Sequence, residues 1–154
     1  MLPNVIRFSG HYALVKLMQY GMMFWLPFIL TTQLHTGALL TGILAVLFEI
    51  GGILGGIFSG IVSDKIGSRT LVIMPMLVIS IPLLILFKFG AYASNYLTYV
   101  SVPICGFLII GANSLISTTV AADLAENGVE GKSSVSTVAG IIDGVGSLGA
   151  GLGQ

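Results

Sequence analysis

From Ala38 to Val62 the chain reads ALLTGILAVLFEIGGILGGIFSGIV, 25 residues whose single charge is the carboxylate of Glu49. A helix of about 20 apolar residues already crosses the hydrocarbon core of a bilayer. Four more runs of comparable length follow the same pattern, so the spans are read at about 11–31, 38–62, 70–89, 97–122 and 134–154. Strands of a membrane barrel need only about 10 residues each, and lipid offers no partners for backbone polar groups, so runs this long are helices. The expected fold class is an all-α integral membrane protein with five transmembrane helices. Composition closes the soluble alternative, because only 8% of residues are charged against about 25% in soluble domains. A net charge of zero gives no footprint for nucleic acid. Cys105 is the one cysteine and the two histidines stand apart from it, so neither a disulfide nor a metal site is expected, and no cofactor. Paired carboxylates and Ser/His/Asp arrangements are missing too, which argues against an enzyme.

Basic residues set the expected orientation. Segments 1–10, 63–69 and 123–133 lie on one side and hold Arg7, Lys65, Arg69 and Lys132, whereas the opposite loops hold only Lys88. The richer side, with the N-terminus, is expected in the cytosol.

Charges inside the spans are the candidate functional groups. A carboxylate near the bilayer centre costs about 2.5–3.5 kcal/mol on insertion scales, so it marks a pairing or functional site by default. Glu49 is in that position. Asp143, about ten residues into the last span and flanked by Gly140 and Gly144, is read as a second pairing or coupling group. Lys16 is the one base inside a span of this chain that could pair with Glu49. If the first helix starts at His11, Lys16 lies five residues in and snorkelling to the headgroups explains it; if the helix starts near Val5, Lys16 is deep and suited to an anion. Asn113, Ser114, Ser117, Thr118 and Thr119 form a polar stripe that either lines a cavity or bonds the local backbone. Glycines at 51, 52, 55, 56 and 60, and again at 140, 144, 146, 149, 151 and 153, serve close helix packing or sliding faces. Pro27, Pro75, Pro82 and Pro103 lie within spans, where kinks are expected.

Between the second and third spans the chain reads Gly60-Ile-Val-Ser-Asp64-Lys65-Ile-Gly67-Ser-Arg69. Gly60 suits close packing where the helix ends, and Gly67 suits a turn closed to other residues. Asp64 can accept from a helix N-terminus or pair with a base, while Lys65 and Arg69 hold the loop in the cytosol. A charged loop that merely fixes topology remains the plain alternative.

This decapeptide resembles the loop signature of the major facilitator superfamily, G-x-x-x-D-[RK]-x-G-x-[RK]. Four further segments, 16–27, 47–56, 121–124 and 136–147, resemble the C-terminal half of eukaryotic sugar-phosphate exchangers in the organophosphate:phosphate antiporter branch. The resemblance implies helices seven to eleven of a twelve-helix transporter, with the N-terminal six-helix half and the twelfth helix lying outside this chain. It implies antiport of a sugar phosphate or glycerol-3-phosphate against inorganic phosphate by alternating access. Lys16 and Asn113 would then be substrate-binding, and Glu49 and Asp143 would belong to an intramembrane charge network. Gly60, Asp64, Lys65, Gly67 and Arg69 would form a cytosolic gating loop. Implied partners are a phosphorylated small molecule, inorganic phosphate, the lipid bilayer and the N-terminal six-helix half. The endoplasmic reticulum membrane is the expected location, although no retention signal selects it over another membrane. A facilitator for a different organic anion and a non-transporting membrane subunit are the rival readings.

Overall fold

The computed structural model describes residues 2–93 and 95–126, together with 140, 143, 144, 146–148 and 151. Four long helices account for nearly all of them: α1 Leu2–Gln33, α2 Ala38–Ile66, α3 Thr70–Ala93 and α4 Asn95–Glu126. The described residues between 140 and 151 are also helical, and no strand occurs among the described residues. Each long helix contains a stretch able to cross a bilayer, namely Tyr12–Gln33, Ala38–Ile66, Thr70–Phe89 and Tyr96–Thr118. The protein is an all-α membrane protein. Helix α4 continues to Glu126, so Asp123 and Glu126 belong to it and not to the loop expected from 123, while Glu130, Lys132 and the limits of the expected fifth span lie outside the described residues.

The helices run past the spans read from sequence, and two of the shifts move candidate residues. Helix α1 begins at Leu2, so 14 helical residues precede Lys16 rather than five. Helix α2 continues to Ile66, so Gly60 is not where it ends. The backbone at Gly60 meets open space, with nothing within 4 Å of an added Cβ. The turn is confined to Gly67–Arg69, and Gly67 closes α2 in the left-handed region (φ 69°, ψ 11°), its N–H bonded to the Ser63 carbonyl at 2.9 Å. That conformation is nearly free for glycine and costly for residues with a Cβ. At the other end of α2, Thr36 ties the turn together. Its hydroxyl donates to the Leu30 carbonyl at 2.8 Å and lies 2.8 Å from the Thr41 hydroxyl.

The sorting of side chains is that of a protein in lipid. Ile43, Val46, Ile50, Ile53, Ile57 and Ile61 of α2 are exposed, while Gly51, Gly52, Gly55 and Ser59 are buried. Association in lipid comes from backbone approach and polar bonds rather than from hiding aliphatic surface. Helix α4 is the hub on which the other three pack. Its seam with α2 is backbone against backbone. A Cβ at Gly51 or Gly55 would strike the carbonyl of Pro103 or Phe107, and one at Gly106 would strike the carbonyl of Phe48. Ser59 crosses the seam to the Gly111 carbonyl at 3.3 Å. One end of the bundle is filled by Met22, Leu26, Leu30, Leu44, Phe48, Phe87, Val102, Cys105 and Ile109. Helices α1, α3 and α4 run unbroken through Pro27, Pro75, Pro82 and Pro103.

Candidate substrate site

Helix α1 carries Tyr12, Lys16, Gln19 and Tyr20 at successive turns, so one face of an otherwise apolar span is polar. The Lys16 side chain is only 7% exposed. Its ammonium donates to Asp143 Oδ1 at 2.6 Å, to Ser147 Oγ at 2.9 Å and to the Asp143 carbonyl at 3.4 Å. These three acceptors take up all three N–H donors of a lysine. Tyr12 adds a hydroxyl bond to the same Asp143 Oδ1 at 3.0 Å. The tyrosine rings flank the charge, with Nζ 5.3 Å from the Tyr12 centroid and 5.7 Å from that of Tyr20, within the range of cation–π attraction. Gly146 lets the fifth segment lie against this face, because a Cβ there would come within 2.9 Å of the Tyr12 ring and 3.2 Å of Lys16 Cδ.

Lys16 is therefore held sideways across a helix interface and does not reach for a helix end. Its partner is Asp143 and not Glu49, which corrects the pairing expected from sequence. The cause is the azimuth of Glu49. The buried stripe of α2 passes through Leu44, Phe48, Gly51, Gly52 and Gly55, and Glu49 stands one residue off it on the exposed side. There it borders a groove of about 410 Å³ with Gly52, Ile53, Gly56 and Ile57 of α2 and Ile110 and Ser114 of α4. Among the described residues no hydrogen bond or ion pair engages Glu49.

The polar stripe of α4 divides. Ser117 and Thr118 return their hydroxyls to the Ser114 carbonyl, each at 3.0 Å, as hydroxyls in apolar helices commonly do. Asn113 instead reaches α1, donating from Nδ2 to Gln19 Oε1 at 2.6 Å. The structure thus brings Lys16 and Asp143 together, sets Asn113 one turn along α1 through Gln19, and leaves Glu49 on a separate face. Asp64 and Lys65 are exposed near the end of α2, and Gly67 and Arg69 follow in the turn. Tyr12, Gln19, Tyr20 and Ser147 were not singled out from sequence. Their signal was the spacing from Lys16 on α1 and, for Ser147, the four residues that separate it from Asp143.

The profile of the Major Facilitator Superfamily matches residues 5–154. The chain belongs to that superfamily. Among curated proteins, this superfamily member is 38% identical over 154 residues to the glucose-6-phosphate exchanger SLC37A2 of Bos taurus, covering 99% of this chain and 31% of that protein. It is 38% identical to the glucose-6-phosphate exchanger SLC37A1 of Homo sapiens, covering 99% and 29%. An Arabidopsis thaliana protein provisionally named glycerol-3-phosphate transporter 5 is 39% identical over 158 residues, with 99% and 32% covered. The chain thus spans about 31% of the length of the curated relatives it matches. No solved structure matches it.

Proposed function

We propose that this superfamily member contributes helices of the C-terminal bundle to an antiporter that exchanges a sugar phosphate for inorganic phosphate. No covalent bond is made or broken in such a cycle. The observation that carries the reading is Lys16, an ammonium buried between α1 and the fifth segment in a span that otherwise excludes charge. A phosphate dianion crossing lipid needs a fixed positive partner, and lysine meets it as a point charge. Cationic or neutral solutes give no reason to retain that lysine. The names of the relatives, glucose-6-phosphate exchangers and a glycerol-3-phosphate transporter, support the same substrate class.

In this reading Lys16 binds the phosphate group and Asp143 holds Lys16 when no anion is bound. Asn113 lines the site. Glu49, facing the groove on α2, pairs with a base of the N-terminal six-helix half during the cycle, because such binding sites lie where two bundles meet. The end of α2 with Gly60, Asp64 and Lys65 and the turn with Gly67 and Arg69 together form the cytosolic gate, with the N-terminus also in the cytosol and the protein in the endoplasmic reticulum membrane. The test is counterflow of labelled phosphate in proteoliposomes holding the two-bundle transporter with residues 1–154. Lys16→Ala is expected to abolish exchange at normal expression. Exchange at the unsubstituted rate in Lys16→Ala would remove the substrate role of Lys16.

A further inference from the structure

Resting on that reading, we infer that the Gln19–Asn113 amide pair recognises a hydroxyl group of the organic phosphate and so distinguishes it from inorganic phosphate. Lys16 cannot make that distinction. It only donates, and the phosphate group it would meet is common to both ligands. A sugar phosphate differs from inorganic phosphate in carrying carbon-bound hydroxyls beyond the phosphate group, each able to donate and accept, so a protein group that accepts at that distance from Lys16 can tell the two apart. The acceptors around Lys16 are mostly engaged: Asp143 Oδ1 by Lys16 and Tyr12, and Ser147 Oγ by Lys16. Asp143 Oδ2 lies on a side chain open to solvent, which leaves Asn113 Oδ1 as the buried acceptor. It is sealed from solvent and has no hydrogen-bond partner among the described residues, while the Nδ2 of the same amide is bonded to Gln19 Oε1 at 2.6 Å.

A buried amide oxygen without a donor is unfavourable and uncommon. The other two buried orphan oxygens, on Ser63 and Thr98, belong to hydroxyls that can rotate and lie away from the lysine. Position supports the same assignment. Gln19 is one turn from Lys16 on α1, about 4.5 Å along the axis. A hydroxyl on a carbon near a phosphate ester spans a similar distance. With Oε1 of Gln19 committed to Asn113, the pair offers the Asn113 oxygen as acceptor and the Gln19 Nε2 as donor, a match for one hydroxyl. The half-buried Asn113 side chain presents its oxygen as the space beside α1 opens to admit the ligand.

The test is scintillation-proximity binding to the two-bundle transporter containing residues 1–154 in lipid nanodiscs, using inorganic phosphate and glucose-6-phosphate as probes. Asn113→Leu removes the acceptor at similar volume. Gln19→Met removes the Nε2 donor at similar volume without placing a charge beside Lys16, and circular dichroism reports whether each variant remains helical. Both variants are expected to lose about tenfold in affinity for glucose-6-phosphate and to keep the phosphate affinity of the unsubstituted transporter. An equal loss for both probes in a helical protein overturns the inference, since the amide pair would then only support Lys16. Unchanged binding of both probes overturns it as well. Failure of the unsubstituted two-bundle transporter to bind either probe, or binding that persists in Lys16→Ala, overturns the anion-site reading beneath it.

Discussion

Asp143→Asn is expected to tighten phosphate binding while weakening the fold. The three donors of Lys16 are taken by Asp143 Oδ1 at 2.6 Å, Ser147 Oγ at 2.9 Å and the Asp143 carbonyl at 3.4 Å. A phosphate oxygen can reach the ammonium only by replacing one of them, and Oδ1 is the charged one. Lys16 stays charged in the variant and can still donate to the amide oxygen, so what is lost is the attraction between the two charges, about 0.2–1 kcal/mol for an exposed pair. The full Coulomb energy of a buried pair does not apply, because the Asp143 side chain is 60% exposed and screened. Replacing carboxylate by amide therefore lowers the competition for Lys16 by up to about 1 kcal/mol, or at most roughly fivefold in phosphate affinity. The same change removes up to about 1 kcal/mol of attachment between α1 and the fifth segment. Phosphate binding in nanodiscs gives the first quantity, and denaturant unfolding followed by circular dichroism gives the second. A group that only holds helices together would lower stability and leave affinity unchanged. Phosphate binding that is unchanged or weaker in Asp143→Asn would refute the idea that the carboxylate occupies the place of the anion.

Glu49→Gln is expected to stop phosphate counterflow while leaving equilibrium binding of phosphate intact, since Glu49 lies on a face of the bundle apart from Lys16; parallel flux and binding assays check it. Gly55→Ala should destabilise by about 1–3 kcal/mol through overpacking, because its Cβ meets the Phe107 backbone, with C and Cα at 2.7 and 2.9 Å. Gly60→Ala, with nothing within 4 Å of the added Cβ, should be neutral or stabilise by about 0.5–1 kcal/mol; paired unfolding curves in detergent compare the two. Gly67→Val places a branched side chain at φ 69°, a strain of about 1–2 kcal/mol that should appear as a lowered unfolding midpoint with spectra still fully helical.

The helices were legible because lipid imposes a length rule on the chain, and a 25-residue run such as 38–62 satisfies it in only one way. Lys16, Glu49 and Asp143 were legible for the same reason, each being a charge where charge is expensive. Their pairing was not. In a soluble helix the apolar stripe reveals which face turns inward, but the aliphatic residues of α2 face lipid and its buried stripe is Gly51, Gly52, Gly55 and Ser59. Hydrophobic period therefore gives no azimuth for Glu49, and Lys16 was its candidate partner only as the one base inside a span. The polar face of α1 was a better guide. Tyr12, Lys16 and Tyr20 repeat every four residues, and a repeat of that kind in an apolar helix marks a face that meets something polar. Gly106 and Gly111 mark the face of α4 that meets α2 in the same way.

Polar residues and glycines, rather than aliphatic ones, thus carry the orientation of these helices, and they sort the two carboxylates into different roles. Asp143 is bonded by Lys16 and Tyr12 and helps hold the fifth segment on α1. Glu49 faces outward over Gly52 and Gly56. Small residues beside a mid-helix carboxylate leave room for another helix to approach closely, and a base on that helix would offset the roughly 2.5–3.5 kcal/mol that an isolated carboxylate costs at the bilayer centre. A carboxylate bonded within the bundle acts on binding, whereas one aimed outward acts on what docks against it. Asp143→Asn should accordingly shift phosphate affinity and Glu49→Gln should stop flux, and the double variant should bind phosphate as Asp143→Asn does, because the groups share no partner.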